Sequence, residues 1–316
     1  MPYLALAAAF AFIIMMFNLP TPFGSTGHAV GSGLIAIILG PWVAVVTVSV
    51  ALLIQALLFG DGGITAFGAN CFNMAVVIPF VAFYTYSFIS GKTKITSNRR
   101  ILGAGISGWL GLTAAAGVAG FEMGIQPLLE HTADGVPIYM PYGLAITVPA
   151  MVLEHALFFS IVEAIITALA FGYIARTDPT IIFNYKGRGE ETKGAIATAP
   201  AGNEVQLRGR LLRNLLVVLA ILIIAVPVGL LAVGTAYGEW GAGELKLLAG
   251  FAPAGLGSIS SLWAAPIPDY SLPSLGGTFL DLSLVYWLSA IVGVILSAGA
   301  FILIGRMLTR KAAQKE

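Results

Sequence analysis

The chain has 316 residues, of which 58% are hydrophobic and only 10% are charged, with a formal net charge of +1. An ordinary soluble domain is about 45–50% apolar and about 25% charged, so this composition excludes a soluble globular enzyme. The first charged side chain is Asp61, and an uncharged stretch of that length is too long for a cleaved signal peptide. The composition indicates a polytopic α-helical membrane protein, and the balanced charge gives no basis for nucleic acid binding.

A helix needs about 20 apolar residues to cross the hydrocarbon core of a bilayer. Apolar stretches of about this length recur along the chain, and the second, 29–59, is long enough for two helices that turn at Gly40-Pro41. Proline is tolerated at a helix start but not in its interior. The sequence therefore predicts eight spans: Tyr3–Leu19, Ala29–Leu39, Trp42–Leu58, Asn70–Ile89, Ile101–Gly120, Tyr142–Ile174, Leu215–Ala236 and Leu284–Ile304.

The charged residues sort the connections onto two sides. Residues 90–100, the linker 176–213 and the C-terminal tail are basic, whereas 121–141 and 238–281 are acidic. Basic connections face the cytoplasm, which places the acidic ones outside. The polar, glycine-rich linker predicts three parts: a six-helix membrane domain at 1–177, a cytoplasmic linker at 178–210, and a two-helix membrane unit with a large external loop at 211–316.

Unusual polar residues collect on the predicted external side of the first domain. His28 ends a turn-rich loop, Asp61 lies in a glycine-rich loop, and Asn70 and Asn73 share one helical face. Glycine-rich loops let backbone approach a small ligand, and neutral imidazole is a common metal ligand. These residues can converge on one mouth. From spacing alone, the leading interpretation of His28 is a capping or interfacial histidine satisfied by nearby backbone, and a metal ligand is the alternative.

Three polar residues lie inside the span 142–174: Glu154, His155 and Glu163. Ionisable groups within a membrane are costly and indicate function by default. In a regular helix the nine-residue separation puts the two carboxylates about 180° apart, so no carboxylate pair is predicted. Structural hydrogen bonding, a role near the substrate and partner docking are all open. His131, in an acidic external loop, is expected to be solvated.

Alanines recur at a spacing of four in the first helix, as Ala5/Ala9 and Ala7/Ala11. Small-xxx-small faces let membrane helices approach closely. The spacing is compatible with internal packing and with docking of another membrane subunit, and sequence alone leaves both open.

Four strings together resemble the CbiM/NikM family, the substrate-binding membrane subunits of energy-coupling factor importers for cobalt and nickel. They are Gly24-Ser25-Thr26-Gly27-His28, Gly40-Pro41-Trp42, Gln55-Ala56-Leu57-Leu58-Phe59-Gly60-Asp61-Gly62-Gly63 and Gly68-Ala69-Asn70-Cys71-Phe72-Asn73-Met74. The second unit resembles the small NikN or PDGLE-type accessory subunit. The strings there are Tyr237-Gly238-Glu239-Trp240, Pro253-Ala254-Gly255-Leu256, Ser261-Leu262-Trp263-Ala264-Ala265-Pro266 and Pro268-Asp269-Tyr270.

The resemblance to such a NikMN-type fusion implies a multi-pass protein of the prokaryotic cytoplasmic membrane that captures Ni²⁺ or Co²⁺ as transported substrate, with no permanently bound cofactor. It implies His28 as a metal ligand, with Asp61, Asn70 and Asn73 supporting the loop around it. It also implies a transmembrane coupling subunit, docked at the alanine face of the first helix, and two cytoplasmic ATP-binding subunits. The sequence contains no P-loop pattern, so ATP hydrolysis is expected from those partners. The fused accessory unit favours nickel; cobalt uptake for cobalamin biosynthesis is the alternative.

One departure from the family concerns the beginning of the chain. The family starts with Met-His-Ile-Pro, whose amine, amide and imidazole nitrogens complete the metal site, followed by an additional helix. This chain reads Met1-Pro2, and proline supplies neither an imidazole nor an amide N–H. We expect a misassigned start with roughly 40 residues upstream, which sequencing the native N-terminus tests.

Three rival functions belong to other classes of protein. A substrate-binding subunit for an organic vitamin predicts an aromatic-lined pocket instead of a loop histidine. A membrane-embedded hydrolase would use Glu154-His155 and needs further ligands on other spans. A truncated, inactive scaffold would assemble partners without binding metal.

Overall fold

The computed structural model describes residues 2–22, 24–183, 201–260 and 262–313, and helices form nearly all of its regular structure. Within these residues, six helices are long and apolar enough to cross a membrane. They are Pro41–Phe59, Phe67–Ser90, Asn98–Leu129, Leu144–Thr177, Gly209–Leu231 and Phe279–Met307. The predicted all-α polytopic class is confirmed.

The first unit contains six helices and one short β-hairpin. Its elements are α1 (Pro2–Met15), β1 (Leu19–Pro20), β2 (Thr26–Gly27), α2 (Ser32–Leu39), α3 (Pro41–Phe59), α4 (Phe67–Ser90), α5 (Asn98–Leu129) and α6 (Leu144–Thr177). β1 and β2 pair antiparallel. The second unit contains α7 (Ala201–Ala225), which continues as a 3₁₀ turn (Val226–Leu231), and then α8 (Ala242–Ala249), α9 (Ala254–Ser260) and α10 (Phe279–Ala313).

The predicted helix break at Gly40-Pro41 is confirmed. Gly40 has a φ of 99°, in the region that favours glycine, and Pro41 is the first residue of α3. Two of the eight predicted spans are shorter than a bilayer requires, since α1 has 14 residues and α2 has 8. The start of α2 is delayed to Ser32 because the preceding Gly31 has a left-handed φ of 73°.

The acidic connection predicted from residue 121 begins later than expected. Helix α5 extends to Leu129. It tolerates Glu122 because the carboxylate accepts a 2.6 Å hydrogen bond from Asn73 Nδ2 of α4. A charged side chain that is hydrogen-bonded can lie inside such a helix, so its position in the sequence does not show where the helix ends.

The two units share one apolar core. Phe12 of α1, Phe59 of α3, Phe159 of α6, Leu219 of α7 and Tyr286 of α10 belong to the same buried cluster. Helix α1 lies at its centre and packs mainly against α10 and α3. The second unit therefore packs with the first unit as one body.

The alanine face of α1 is covered by the chain itself. Ala5, Ala7, Ala9 and Ala11 are all buried, with Ala9 and Ala11 fully so. A side chain at Gly293 of α10 would collide with the buried ring of Phe12, which shows how closely the two helices approach. Ala5 and Ala9 also border an apolar groove between α1, α7 and α10. The docking of a coupling subunit at these alanines therefore stays a prediction.

The predicted boundary between the units lies partly outside the described residues, which omit 184–200 of the linker. The described part begins on the first unit, where the Phe183 N–H donates a 2.6 Å hydrogen bond to the Ile38 carbonyl. The division at 178–210 stays a prediction.

Candidate metal-binding site

The loop that carries His28 rests on helix α6. Pairing of Leu19 with Gly27 and of Pro20 with Thr26 turns the chain back just before His28. A Cβ added at Gly27 would lie 2.6 Å from the ring of Phe159, which is fully buried. Only glycine fits at this contact, so the loop lies directly on the α6 surface.

The imidazole of His28 is oriented with one nitrogen available. Its Nδ1 lies 3.1 Å from the Ala29 carbonyl oxygen, and a carbonyl only accepts, so Nδ1 carries the proton and Nε2 keeps a lone pair. Burial lowers the pKa of His28, against the opposing pull of Asp61 and of the Ala29 carbonyl. A neutral imidazole with a free Nε2 is the form that binds a metal ion.

His28 opens onto a cavity of about 40 Å³ whose wall also holds Gln55, Asp61, Asn70 and Glu239. One water molecule needs roughly 10–15 Å³ on this measure, whereas pockets for drug-sized molecules measure about 300–1,000 Å³. The cavity is therefore the size of an ion with a few waters, and too small for an organic vitamin.

Asp61 is held by a residue of the second unit. The Tyr270 hydroxyl donates to Asp61 Oδ2 and accepts a 3.0 Å hydrogen bond from Gln55 Nε2. Gln55 Nε2 also donates to Asp61 Oδ2 over 3.2 Å. The Tyr270 ring stacks on Phe59 with 4.6 Å between centroids, and the residue is buried. We call Gln55, Asp61 and Tyr270 the clasp; burial and the neighbouring Asp61 raise the pKa of the Tyr270 hydroxyl, which stays a donor.

Backbone geometry and further hydrogen bonds support the clasp. Asp269 and Tyr270 have φ values of 51° and 54°, a left-handed conformation that is strained for non-glycine residues and tends to occur at functional sites. The Ile267 N–H donates to the Leu58 carbonyl and Trp263 Nε1 to the Leu57 carbonyl, each over 2.9 Å. These two carbonyls lie at the C-terminal end of α3, where intrahelical donors run out. The loop between α9 and α10 thus caps the helix that carries Gln55.

The second unit also contributes a carboxylate to the cavity wall. Glu239 is a solvent-exposed residue, yet its carboxyl lines the cavity, where partial desolvation and repulsion from Asp61 and Asp269 raise its pKa to about 7. The chain near it runs beside the His28 loop, since Thr26 Oγ1 donates to the Gly234 carbonyl over 3.4 Å. A cation in the cavity would relieve the repulsion between these carboxylates.

The two asparagines have different surroundings. Asn70 lies in the cavity wall, where its Nδ2 donates a 3.0 Å hydrogen bond to the Gly62 carbonyl of the glycine-rich loop. Asn73 is absent from the wall and binds Glu122 instead. His131 is exposed in the loop after α5. Across the described part of the chain, no three His, Cys, Asp or Glu side chains are grouped closely enough to hold a metal ion by themselves.

Glu154, His155 and Glu163 of α6 lie towards the His28 loop. The hydroxyls of Thr21 and Ser25 interact with Glu154, and Glu163 accepts from backbone at the other end of the loop. His155 donates through Nδ1 to the Met151 carbonyl over 2.9 Å and interacts electrostatically with His28. The prediction that Glu154 and Glu163 lie on opposite sides of a regular helix is wrong. Residues 155–159 form a π turn, whose additional residue reduces the offset to about 80°.

Gln55, Tyr270 and Glu239 are site residues that the sequence did not reveal. Tyr270 reaches Asp61 from 209 positions away. The string Pro268-Asp269-Tyr270 contributed to the family resemblance, but nothing in it indicates a contact with Asp61. The string Tyr237-Gly238-Glu239-Trp240 contributed to the family resemblance, but nothing in it indicates that Glu239 lines a cavity formed by the other unit.

Comparison with known proteins decides the family. The family model for the cobalt uptake substrate-specific transmembrane region, CbiM, matches residues 1–181, more than half of the chain. The chain belongs to the CbiM family. The PDGLE domain model matches residues 213–310, so the predicted fusion of the two kinds of unit is confirmed for this CbiM-family chain.

Two relatives that align over most of the chain are named as fused proteins. The chain is 44% identical to the fused nickel transport protein NikMN of Rhodobacter capsulatus, over 99% of the chain and 88% of that protein. It is 40% identical to the probable fused nickel transport protein LarMN of Lactiplantibacillus plantarum, over 94% of the chain and 82% of that protein. The crystal structure of a transition metal transporter is 47% identical, with a TM-score of 0.52, over 60% of this chain and 82% of that one.

Proposed function

We propose that the chain is the membrane subunit that captures nickel or cobalt ions from outside the cell for import, with nickel favoured and His28 as a metal ligand. The observation that carries the proposal is the neutral His28 imidazole, with Nε2 available, at a cavity of about 40 Å³ walled by Asp61 and Glu239. Asp61 and Asn70 shape the cavity, and Asn73 supports it indirectly through Glu122.

The choice of metal follows from donor chemistry and from the relatives. Imidazole nitrogen suits late first-row divalent ions, and affinity rises from cobalt to nickel in the Irving–Williams order. Two relatives that cover most of the chain are named as fused nickel transport proteins. Cobalt is the second candidate, because shorter relatives are named as cobalt transport proteins.

The chain would act with other subunits in an importer of the energy-coupling factor type. A transmembrane coupling subunit and two cytoplasmic ATPases would supply ATP hydrolysis, and the chain would lie in the cytoplasmic membrane of a prokaryote. The described helices that can span a membrane fit this assignment. The proposed docking site of the coupling subunit is the first helix, where Ala5 and Ala9 line an apolar groove together with α7 and α10.

The test compares His28→Ala with the matched control His131→Ala in the protein expressed from its own genomic locus. His131 is exposed and outside the cavity wall, so its loss should leave binding unchanged. His28→Ala should weaken Ni²⁺ binding, measured by isothermal titration calorimetry, at least tenfold, since it removes a ligand. Equal binding by His28→Ala and the unsubstituted protein would refute the proposal, and absence of metal binding by both would favour the inactive scaffold.

A further inference from the structure

Glu163 is a buried carboxylate that the proposed chemistry does not use. It is fully buried in α6, within the membrane-spanning part of the chain. Its Oε2 accepts two hydrogen bonds of 2.9 Å, from the N–H groups of Val30 and Gly31. These donors lie two and three residues after His28, on a segment more than 130 positions away in sequence.

The two N–H groups belong to the chain just before α2. The first N–H groups of a helix have no partner within it and are normally satisfied by a nearby Ser, Thr, Asp or Asn. No side chain caps α2 from its own N-cap position, which is Gly31. Glu163 instead binds the N–H groups of the N-cap Gly31 and of Val30 before it, and so ties the chain at the start of α2 to α6.

The same helix also holds the chain on the other side of His28. Phe159 lies under Gly27, and Glu163 follows it by one helical turn on the same face of α6. His28 therefore lies between two contacts with the same helix. On one side Gly27 packs on Phe159, and on the other side the backbone binds Glu163. The hydrogen bond that the described residues give its ring runs to the adjacent Ala29 carbonyl, so the backbone of this short segment determines where Nε2 points.

Gly31 restricts the movement of the backbone segment that binds Glu163. It has a φ of 73°, and a Cβ there would lie 2.5 Å from the ring of Phe10 in α1. The turn between His28 and α2 therefore has little freedom to shift and find other donors for Glu163. Removal of the carboxylate would leave two buried N–H groups unpaired and the turn without its tie to α6.

We infer that Glu163 is a positioning residue that holds the His28 imidazole in the orientation required to bind the transported metal ion, through its hydrogen bonds to the Val30 and Gly31 backbone. The inference rests on the proposed function of His28. Groups that orient a metal ligand from outside the coordination sphere contribute about 10–100-fold to metal affinity.

The test measures Ni²⁺ binding by isothermal titration calorimetry to the full chain expressed from its genomic locus. Glu163→Ala removes the acceptor and should weaken binding about 10–100-fold. Glu163→Gln keeps an acceptor oxygen at the same place and should restore binding to within about threefold of the unsubstituted protein. The matched control is Thr167→Val, one turn further along α6, whose fully buried hydroxyl makes no hydrogen bond within the described residues.

A second readout separates positioning from general stability. Nickel X-ray absorption reports imidazole scattering from a bound histidine, and this signal should fall in Glu163→Ala as it does in His28→Ala. If Glu163→Ala does not fold, Glu163→Asp is used, whose shorter side chain withdraws the oxygen from both N–H groups and should also weaken binding. The thermal midpoint of each metal-free variant is recorded, and the loss of affinity should persist where that midpoint is unchanged.

Failure of the proposed function and failure of the inference about Glu163 give different results. If His28→Ala binds nickel as tightly as the unsubstituted protein, the proposed function itself fails. If His28→Ala loses binding while Glu163→Ala keeps both its affinity and its imidazole scattering, the inference about Glu163 is overturned and the proposed function stands. Equal losses in Thr167→Val and Glu163→Ala would also overturn it, because they would indicate a general effect of disturbing α6.

Discussion

Tyr270→Phe tests whether the loop between α9 and α10, which contains Tyr270, closes the cavity. The substitution removes only the hydroxyl, which donates to Asp61 and accepts from Gln55. A hydrogen bond to a charged group contributes about 1.5–3 kcal/mol and a neutral one about 0.5–1.5 kcal/mol. Gln55 and Asp61 remain bonded to each other over 3.2 Å, and the ring keeps its stacking on Phe59, so the net loss is about 2 kcal/mol.

A loss of about 2 kcal/mol corresponds to a roughly 30-fold increase in the population of the open loop. Hydrogen exchange followed by mass spectrometry measures that opening at Ile267, whose N–H is bonded to the Leu58 carbonyl at 2.9 Å. The control is Tyr173→Phe, which removes a hydroxyl bonded to Asn214, outside the clasp. Unchanged exchange at Ile267 in Tyr270→Phe, or an equal increase in the control, would mean that the Tyr270 hydroxyl does not hold the loop closed.

Two further predictions concern the packing of α10 and the charge of the cavity. Gly293→Val should destabilise the protein by about 1–3 kcal/mol, seen as a lower thermal midpoint, because its side chain meets Phe12, whereas Gly299→Val, with open space around it, should not. Glu239→Gln should slow nickel capture about tenfold at low ionic strength and neutral pH. Since the pKa of Glu239 is raised to about 7, its carboxyl is neutral below that pH, and the difference from the unsubstituted protein should shrink as the pH falls.

Each of these two predictions has a clear contrary result. Equal thermal midpoints for the Gly293 and Gly299 variants would mean that α10 does not pack on α1 as described. A capture rate for Glu239→Gln that equals that of the unsubstituted protein at every pH and salt concentration would mean that the second unit adds no electrostatic attraction to the cavity.

The membrane fold follows from sequence wherever one local signal decides the outcome. The break between α2 and α3 is predictable because Pro41 can begin a helix and Gly40 can adopt a positive φ. The C-terminal end of α5 is harder to predict. Glu122 indicates a loop in the sequence, but its hydrogen bond with Asn73 accommodates it in the helix. A charge ends a span only when no partner compensates for it, and sequence does not show partners.

The site is only partly predictable for the same reason. His28, Asp61 and Asn70 are recognisable as polar residues in glycine-rich loops, and all three line the cavity. Glu154 and Glu163 lie towards the same loop because of a π turn, and a π turn gives no recognisable periodic pattern in the sequence. The small residues of α1 specify close packing but not the identity of the helix that packs there.

The most direct measurement of the central claim is an anomalous diffraction map of the nickel-loaded protein. We expect one nickel peak in the cavity beside Asp61 and Asn70, within bonding distance of His28 Nε2 and absent in His28→Ala. A nickel peak elsewhere in the chain, with His28 Nε2 unbound, would contradict it.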